Sequence, residues 1–257
     1  MVKTKTLAVI LNHNMPEYTD RLYLNLNDPG NEQYDLIVMD NGSKPGLTSI
    51  YTSVKLEKNL YWGGALNEAF RMVLINDIYD SLLFLNNDIE VNGKIFVQAL
   101  RNELFNGDFV IVAPCIVGGP SPYKQMQNWG SKTTSCVQWI DNQAPLIHRK
   151  FIESIREFDD SLHYGWGQEL ICFDVCRDKN WKIGVCDHIS ILHFGKQTLF
   201  QKRLFNDIDG ESIPLENSEF ENKAWGSLIS YFSKNPIRNG NFDELRAYGE
   251  NYSYVTF

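Results

Sequence analysis

The side chains best placed for chemistry are Asn86-Asn87-Asp88, which end the run Ser81-Leu82-Leu83-Phe84-Leu85. That run has the length and apolar character of a buried strand. In open α/β sheets ligands bind beyond the carboxyl ends of the strands, and this is where the Asp88 carboxylate would sit. A hard carboxylate there suits Mg²⁺ or Mn²⁺, which are commonly held by one or two carboxylates plus substrate phosphates. The same three residues also make an ordinary polar turn. The remainder of the chain has to decide between the two.

Other reactive groups are less organised. The five cysteines form no Cys-x-x-Cys and are odd in number, against a disulfide framework. Cys172, Cys176, Cys186 and His193 would make a conceivable zinc set, but their spacing matches no common finger and buried thiols are the simpler reading. No Gly-x-Ser-x-Gly occurs, which excludes a hydrolase of the nucleophile-elbow type. The 257 residues are 43% hydrophobic and 22% charged, as in ordinary globular proteins. The net charge of −8, with no basic block, excludes a nucleic-acid partner read from long-range electrostatics. An acidic chain can still hold an anionic nucleotide where a metal ion or helix N-termini screen the phosphates. No apolar run reaches the roughly 20 residues of a transmembrane span, and Leu7–Leu11 is too short for a signal peptide. The expected location is cytoplasmic, or peripheral at a membrane surface.

Strands and helices must alternate to position these groups. Thr6–Leu11 reads as a strand, Glu17–Leu26 as a helix opened by Pro16, and Leu36–Met39 as a strand ending in the turn Asp40-Asn41-Gly42-Ser43. A short strand near Val54–Leu56, a helix opened by Gly63-Gly64, the strand Leu82–Leu85, the helix Lys94–Leu104 and the strand Phe109–Ala113 follow. Such alternation predicts a mostly parallel sheet. Gly118–Lys132, rich in Gly, Pro, Ser and Asn, reads as a long loop carrying Tyr123 and Trp129. Beyond it, strands are expected at Cys136–Ile140, Ala144–His148, Trp181–Val185 and Ile189–His193, with helices near Lys150–Arg156 and Gly167–Lys179. Glu219–Phe232 has helical spacing, with Phe220, Ala224, Leu228, Ile229 and Phe232 on one stripe.

Four blocks then carry a resemblance: Ala8–Asn14; Ile37–Ser43; Asn59 through Trp62-Gly63-Gly64-Ala65 to Asn67; and Asn86-Asn87-Asp88, the last in an Asn-x-Asp form of an Asp-x-Asp motif. Downstream come Tyr164-Gly165-Trp166-Gly167-Gln168-Glu169 at a helix start and Ile191-Leu192-His193 leading into Phe194-Gly195-Lys196-Gln197-Thr198. Over residues 5–198 the chain resembles the family 2 glycosyltransferases. These are inverting enzymes that move a sugar from a nucleotide diphosphate donor to an acceptor hydroxyl. The resemblance implies an α/β GT-A fold, Rossmann-like, with a mixed, mostly parallel sheet flanked by helices over residues 1–198. Residues 199–257 would form a mainly helical C-terminal extension packed on it. Tyr61 departs from the pattern, standing where the family usually has glycine, and Asn86 replaces its first carboxylate.

What the resemblance implies for the site is specific. Asn12, Asn14, Asp40, Asn59, Gly64, Asn67, Asn86 and Asn87 would face the nucleotide and donor, with Asp141 on the donor sugar. Asp88 and His193 would hold Mn²⁺ or Mg²⁺, and Glu169 would be the general base. Asp159, Asp160 and Asp141 are rival bases. Asp160, Trp166 and Trp129 are candidates for an acceptor surface, and Lys196 could add charge from the closing stretch. The implied partners are a nucleotide-diphospho-sugar, of UDP or dTDP type, and a carbohydrate or glycoconjugate acceptor, as in glycan biosynthesis by a hexosyl- or deoxyhexosyltransferase. The tail suits closure over the acceptor, docking to a membrane surface or a homodimer equally. Two alternatives stay open: an inactive nucleotide-sugar-binding module, and a nucleotidyltransferase. The second is disfavoured because residues 12–20 contain no Gly, Lys or Arg.

Overall fold

Leu7–Ile10 and Leu82–Leu85 are wholly buried, as strands become when helices cover both faces of a sheet. The computed structural model describes residues 4–117, 124–194 and 217–238, with side chains in the last segment from residue 222. Tyr123, the stretch 195–198 with Lys196, the Phe220 side chain, and 199–216 and 239–257 of the expected extension lie outside the described residues.

Among the described residues nine strands form one sheet: β1 (Lys5–Asn12), β2 (Tyr34–Asn41), β3 (Thr52–Leu56), β4 (Tyr79–Asn86), β5 (Ile89–Val91), β6 (Phe109–Ile116), β7 (Thr134–Val137), β8 (Leu146–His148) and β9 (Lys182–His193). Their order is β3-β2-β1-β4-β8-β6-β9-β5, with β7 also on β9. The long ladders β1–β2, β1–β4, β2–β3 and β6–β9 are parallel. Shorter antiparallel ladders set β8 between β4 and β6, and β5 and β7 against β9. The helices are α1 (Pro16–Leu26), α2 (Tyr61–Leu74), α3 (Ile95–Asn106), α4 (Arg149–Ile155), α5 (Gln168–Asp178) and α6 (Asn217–Lys234).

Two registers matter for the site. Asn12 pairs with Asp40, and Leu11 with Asn86, so β1, β2 and β4 end level along one edge. Ile89 pairs with His193, which brings the end of β9 beside Asp88. At the α2 C-terminus the Arg149 guanidinium donates to the carbonyls of Val73, Leu74 and Asn76, and also to Tyr79 O, satisfying groups a helix end leaves open.

Some local expectations fail for identifiable reasons. The two strands expected at 181–185 and 189–193 are one continuous β9. Between the two expected spans lies Asp187, whose buried carboxylate accepts the backbone N–H groups of Trp129 and Ser131. The strand expected at Cys136–Ile140 is Thr134–Val137, since Trp139 and Ile140 leave the sheet for the core. The strand expected at Ala144–His148 shortens to Leu146–His148. Cys115, Cys172, Cys176 and Cys186 are free, buried thiols, and burial pushes Cys176 and Cys186 up to about 12.

On α6, Ala224, Leu228 and Phe232 are buried, whereas Ile229 is half exposed and lies off the stripe assigned to it. Leu228 and Phe232 pack with Trp139, Leu170, Phe173 and Ile237, which seats α6 on α5. No helix among the described residues is long and apolar enough to cross a membrane. Phe232→Ala should lower the unfolding free energy by about 3 kcal/mol. An unchanged midpoint in urea denaturation would contradict the seating of α6.

Candidate active site

The level strand ends carry a buried polar chain. Asn12 Nδ2 donates to Asp40 Oδ1 (2.7 Å), and Asp40 Oδ2 accepts Ser43 N–H (3.1 Å). The Thr19 hydroxyl donates to Asn12 Oδ1 (2.8 Å) and accepts from Asn87 Nδ2 (2.9 Å). Asp40 is wholly buried in this chain, so here its carboxylate ties β1 to the turn after β2. The links run Asp40–Asn12–Thr19–Asn87 and stop at the neighbour of Asp88. Asn14 closes the same turn, accepting Lys44 N–H (2.8 Å) while its own N–H reaches Ser43 Oγ (2.8 Å).

A second group shapes the entry to α2. His13 Nδ1 lies 2.9 Å from the Asn41 carbonyl, which can only accept, so Nδ1 carries the proton. Nε2 then accepts from the side-chain amides of Asn14 (3.1 Å) and Asn59 (3.3 Å). Asn59 Oδ1 accepts Asn41 Nδ2 (3.0 Å) and Tyr61 N–H (2.8 Å). Tyr61 has φ +55°, the left-handed region glycine favours. The loop thus follows a glycine-type path with a tyrosine in it, at a cost of roughly 1–2 kcal/mol. Its ring packs on His163 (5.0 Å) and Tyr164 (4.8 Å), which offsets part of that strain.

Two residues join this half to the segment before α5. Gly63 N–H donates to His163 O (2.8 Å), and a Cβ there would lie 2.3 Å from Gln168 Nε2 and 2.8 Å from Leu162 O. The close approach is therefore at Gly63. At Gly64 a Cβ would meet Leu60 Cβ of the same turn, at 2.8 Å. Asn67 accepts Phe158 N–H (2.8 Å) and donates to Phe158 O (2.9 Å). Its amide is engaged by that backbone rather than open to a donor.

The acidic centre lies where these pieces meet. Asp88 Oδ2 is 3.6 Å from His193 Nε2, both groups nearly buried, and Asp88 O accepts Phe194 N–H (2.9 Å). Among the described residues no third His, Cys, Asp or Glu joins this pair as a ligand cluster. Asp141 feels both of them: burial raises its pKa, the His193 charge lowers it, and Asp88 raises it. Asp141 Oδ1 accepts Gln143 Nε2 (3.2 Å), while the buried Oδ2 has no hydrogen-bond partner among the described residues.

Glu169 stands in the first turn of α5 behind Gly167, whose φ of +89° makes the sharp entry to the helix. A Cβ at Gly167 would meet Phe232 and Leu228 within 3.1–3.2 Å, so α6 packs directly on that entry. Burial pushes the Glu169 carboxyl up to about 7 against the lowering pull of its own N–H and that of Gly167 (3.0 Å), and Asp141 raises it further. A narrow cavity of about 10 Å³ lies behind it, walled by Trp62, Leu66, Ile140, Phe158 and Cys172. That is room for about one water molecule, so burial outweighs the helix N-terminus.

The remaining candidates have partners of other kinds. Asp159 caps the 3₁₀ turn Asp160–Leu162, accepting Ser161 N–H (2.9 Å) and its hydroxyl (2.6 Å), which holds the carboxyl below its usual range. Asp160 is exposed and acts electrostatically on Arg71. Trp166 is half-buried against Trp225 (5.4 Å, edge to face), and Trp129 is 58% exposed on the loop that Asp187 holds. Asn86 is engaged at both ends of its amide, accepting Trp62 Nε1–H (2.8 Å) and donating to Gln143 Oε1 (2.5 Å). Thr19, Gln143 and Asp187 are central yet were not recognised from sequence. Only Asp187 left a signal, a lone carboxylate inside an apolar run.

No protein-family model matches the chain, and no curated protein matches it. Solved structures do. GalNAc-T7 with UDP, GalNAc and Mn²⁺ superposes with a TM-score of 0.56 at 11% identity, over 91% of this chain and 58% of that one. S. aureus TarS 1–349 gives 0.55 at 13% identity, over 94% and 77% of the two chains. Its complex with UDP-GlcNAc gives 0.52 at 14%, over 90% and 73%. Both neighbours are GT-A structures, and the fold of this chain is GT-A, a mixed α/β sheet flanked by helices. The chain spans less than two thirds of the GalNAc-T7 chain.

The close approach at Gly63 is testable. Gly63→Ala should cost about 1–3 kcal/mol by overpacking, whereas Gly226→Ala on α6, with nothing within 4 Å, should be neutral or stabilising. Equal melting temperatures for the two variants would contradict the assignment.

Proposed function

We propose that the protein is a glycosyltransferase of family 2 type, transferring a sugar from a nucleotide-diphospho-sugar to an acceptor hydroxyl with inversion. The observation that carries this reading is the grouping of Asp88, His193, Asp141 and Glu169 at one end of a GT-A sheet. Structural neighbours crystallised with UDP or UDP-GlcNAc support a UDP-type donor.

Inverting transfer needs a base for the acceptor hydroxyl and a means of stabilising the departing diphosphate. Glu169 suits the first. With its pKa near 7, it is a far stronger base than a free carboxylate and is still ionised in part at neutral pH. Gly167 N–H fixes its Oε2, and α6 fixes Gly167. For the second, Asp88 and His193 fit Mn²⁺ or Mg²⁺. Their 3.6 Å separation is under twice the ~2.1 Å bond such an ion makes, and both donors are of the kind these ions accept. Bound there, the ion would act as a Lewis acid on the diphosphate. Asp141, lying between that pair and the base in electrostatic terms, would accept a hydroxyl of the sugar. Trp129 and Trp166 offer apolar faces to an acceptor.

Glu169→Gln should abolish transfer while donor affinity, read by calorimetry with Mn²⁺, stays within a few-fold. The wild-type rate should rise about tenfold per pH unit up to about 7 and level off above it. Stability runs the opposite way. A carboxyl raised in the fold contributes fully below its unfolded value of 4.5 and loses that contribution as pH rises through about 7. The variant should therefore gain stability relative to wild type between pH 5 and pH 8. Full turnover by Glu169→Gln would remove it as the base. Asp88→Ala should weaken Mn²⁺-dependent binding of UDP at least tenfold, and an unchanged isotherm would exclude it as a ligand.

A further inference from the structure

Asn86, the first residue of the Asn-x-Asp motif, has both ends of its amide engaged within the protein, and the direction of its hydrogen bonds is set by chemistry alone. Trp62 Nε1–H is a donor and cannot accept. Lying 2.8 Å from Asn86, it turns the amide oxygen toward the indole and the NH₂ toward Gln143. Asn86 Nδ2 then donates to Gln143 Oε1 (2.5 Å), which leaves Gln143 Nε2 facing Asp141 Oδ1 at 3.2 Å. Asp141, an acceptor when ionised, ends the series. The backbone repeats the tie, Asn86 N–H donating to Gln143 O (2.9 Å). One oxygen of Asp141 is thereby fixed, and the other is buried with no partner among the described residues. A carboxylate in place of the Asn86 amide could not donate to Gln143. It would turn the Gln143 amide round and set Gln143 Oε1 against Asp141 Oδ1, oxygen against oxygen.

We infer that Trp62, Asn86 and Gln143 form a one-way hydrogen-bond relay that aims the free oxygen of Asp141 at a hydroxyl of the donor's pyranosyl group. Asp141 thus carries, on the loop before β8, the carboxylate that position 86 lacks. In this assignment Asn86 and Gln143 are positioning residues, and Asp141 is a specificity-determining contact. Restoring a carboxylate at position 86 breaks the relay and gives no second metal ligand. The sugar contact rests on the glycosyltransferase reading; the relay itself does not.

A double-mutant cycle separates the two. Asn86→Asp should lower the melting temperature, because it leaves two acceptors facing each other. Asp141→Asn should also lower it, by setting the new amide against the Gln143 NH₂ or, if the amide turns, by removing the charged acceptor. The double variant carries the relay in reverse. The amide introduced at position 141 donates to the turned Gln143, and Gln143 Nε2 donates to the carboxylate introduced at position 86. This variant should recover most of the combined loss. Additive losses would overturn the relay. Calorimetry with Mn²⁺ then compares UDP with whichever of UDP-GlcNAc, UDP-GalNAc or UDP-glucose the wild type binds most tightly. Each single variant should weaken the UDP-sugar about tenfold or more while leaving UDP within about twofold. Equal weakening of both would overturn the sugar contact. If the wild type binds none of them, the reading of a UDP-type donor, and with it the sugar contact as stated, fails while the thermal cycle still judges the relay. Should Asn86→Asp give no folded protein, Gln143→Leu removes the middle link, and it should reproduce the selective loss of UDP-sugar affinity; retention of that affinity overturns the relay.

Discussion

A buried carboxylate, Asp141, held within electrostatic reach of Asp88 on one side and Glu169 on the other is the constraint around which the rest of this molecule is organised. Burial raises the cost of ionising Asp141 and Glu169, and a neighbouring carboxylate adds to it, Asp88 for Asp141 and Asp141 for Glu169. The effect is visible in the raised values of Asp141 and Glu169. His193 is the nearest compensating group, seated beside Asp88 by the antiparallel pairing of β5 and β9. A fold keeps such a cluster only if surrounding structure over-determines it, and sites built this way are where shifted pKa values serve chemistry.

The over-determination comes from polar side chains that replace backbone ladder bonds beyond the strand ends. Asn12, Asp40, Thr19 and Asn87 bind the ends of β1 and β2, α1 and the turn after β4 to one another, so the turn carrying Asp88 cannot move independently of β1 and β2. Asn67 treats Phe158 as a strand would, offering one donor and one acceptor, and Gly63 lets α2 touch the segment that leads to Glu169. On the far side α6 closes on Gly167, joining the C-terminal helix to the entry of α5. Networks of this sort are stiff when every member is satisfied. The unpartnered Asp141 oxygen is then informative, because it sits at the end of a series that is otherwise complete.

How much of this could be read from the chain depended on range. Leu82–Leu85 and the position of Asp88 were legible because a short apolar run closed by polar residues has few other outcomes. The helix around Glu219–Phe232 was legible for the same local reason. β5 was not, since three residues acquire strand character only from a partner a hundred positions away. The continuity of β9 was hidden because Asp187 looks like a break until the loop amides that satisfy it are in place. Asp88, Asp141, Glu169 and His193 were named from resemblance, and the pairing of Asn86 with Trp62 and Gln143 was out of reach, being a product of loop closure. Tyr61 is instructive in another way. A residue that broke the expected pattern keeps the backbone path the pattern required, with aromatic contacts on its ring.

The most direct measurement is a crystal structure of the protein with Mn²⁺ and UDP-GlcNAc. Anomalous density for manganese is expected within bonding distance of Asp88 and His193, with the diphosphate beside it and the sugar between Asp141 and Glu169. Nucleotide bound elsewhere on the molecule, or manganese bound away from Asp88, would contradict it.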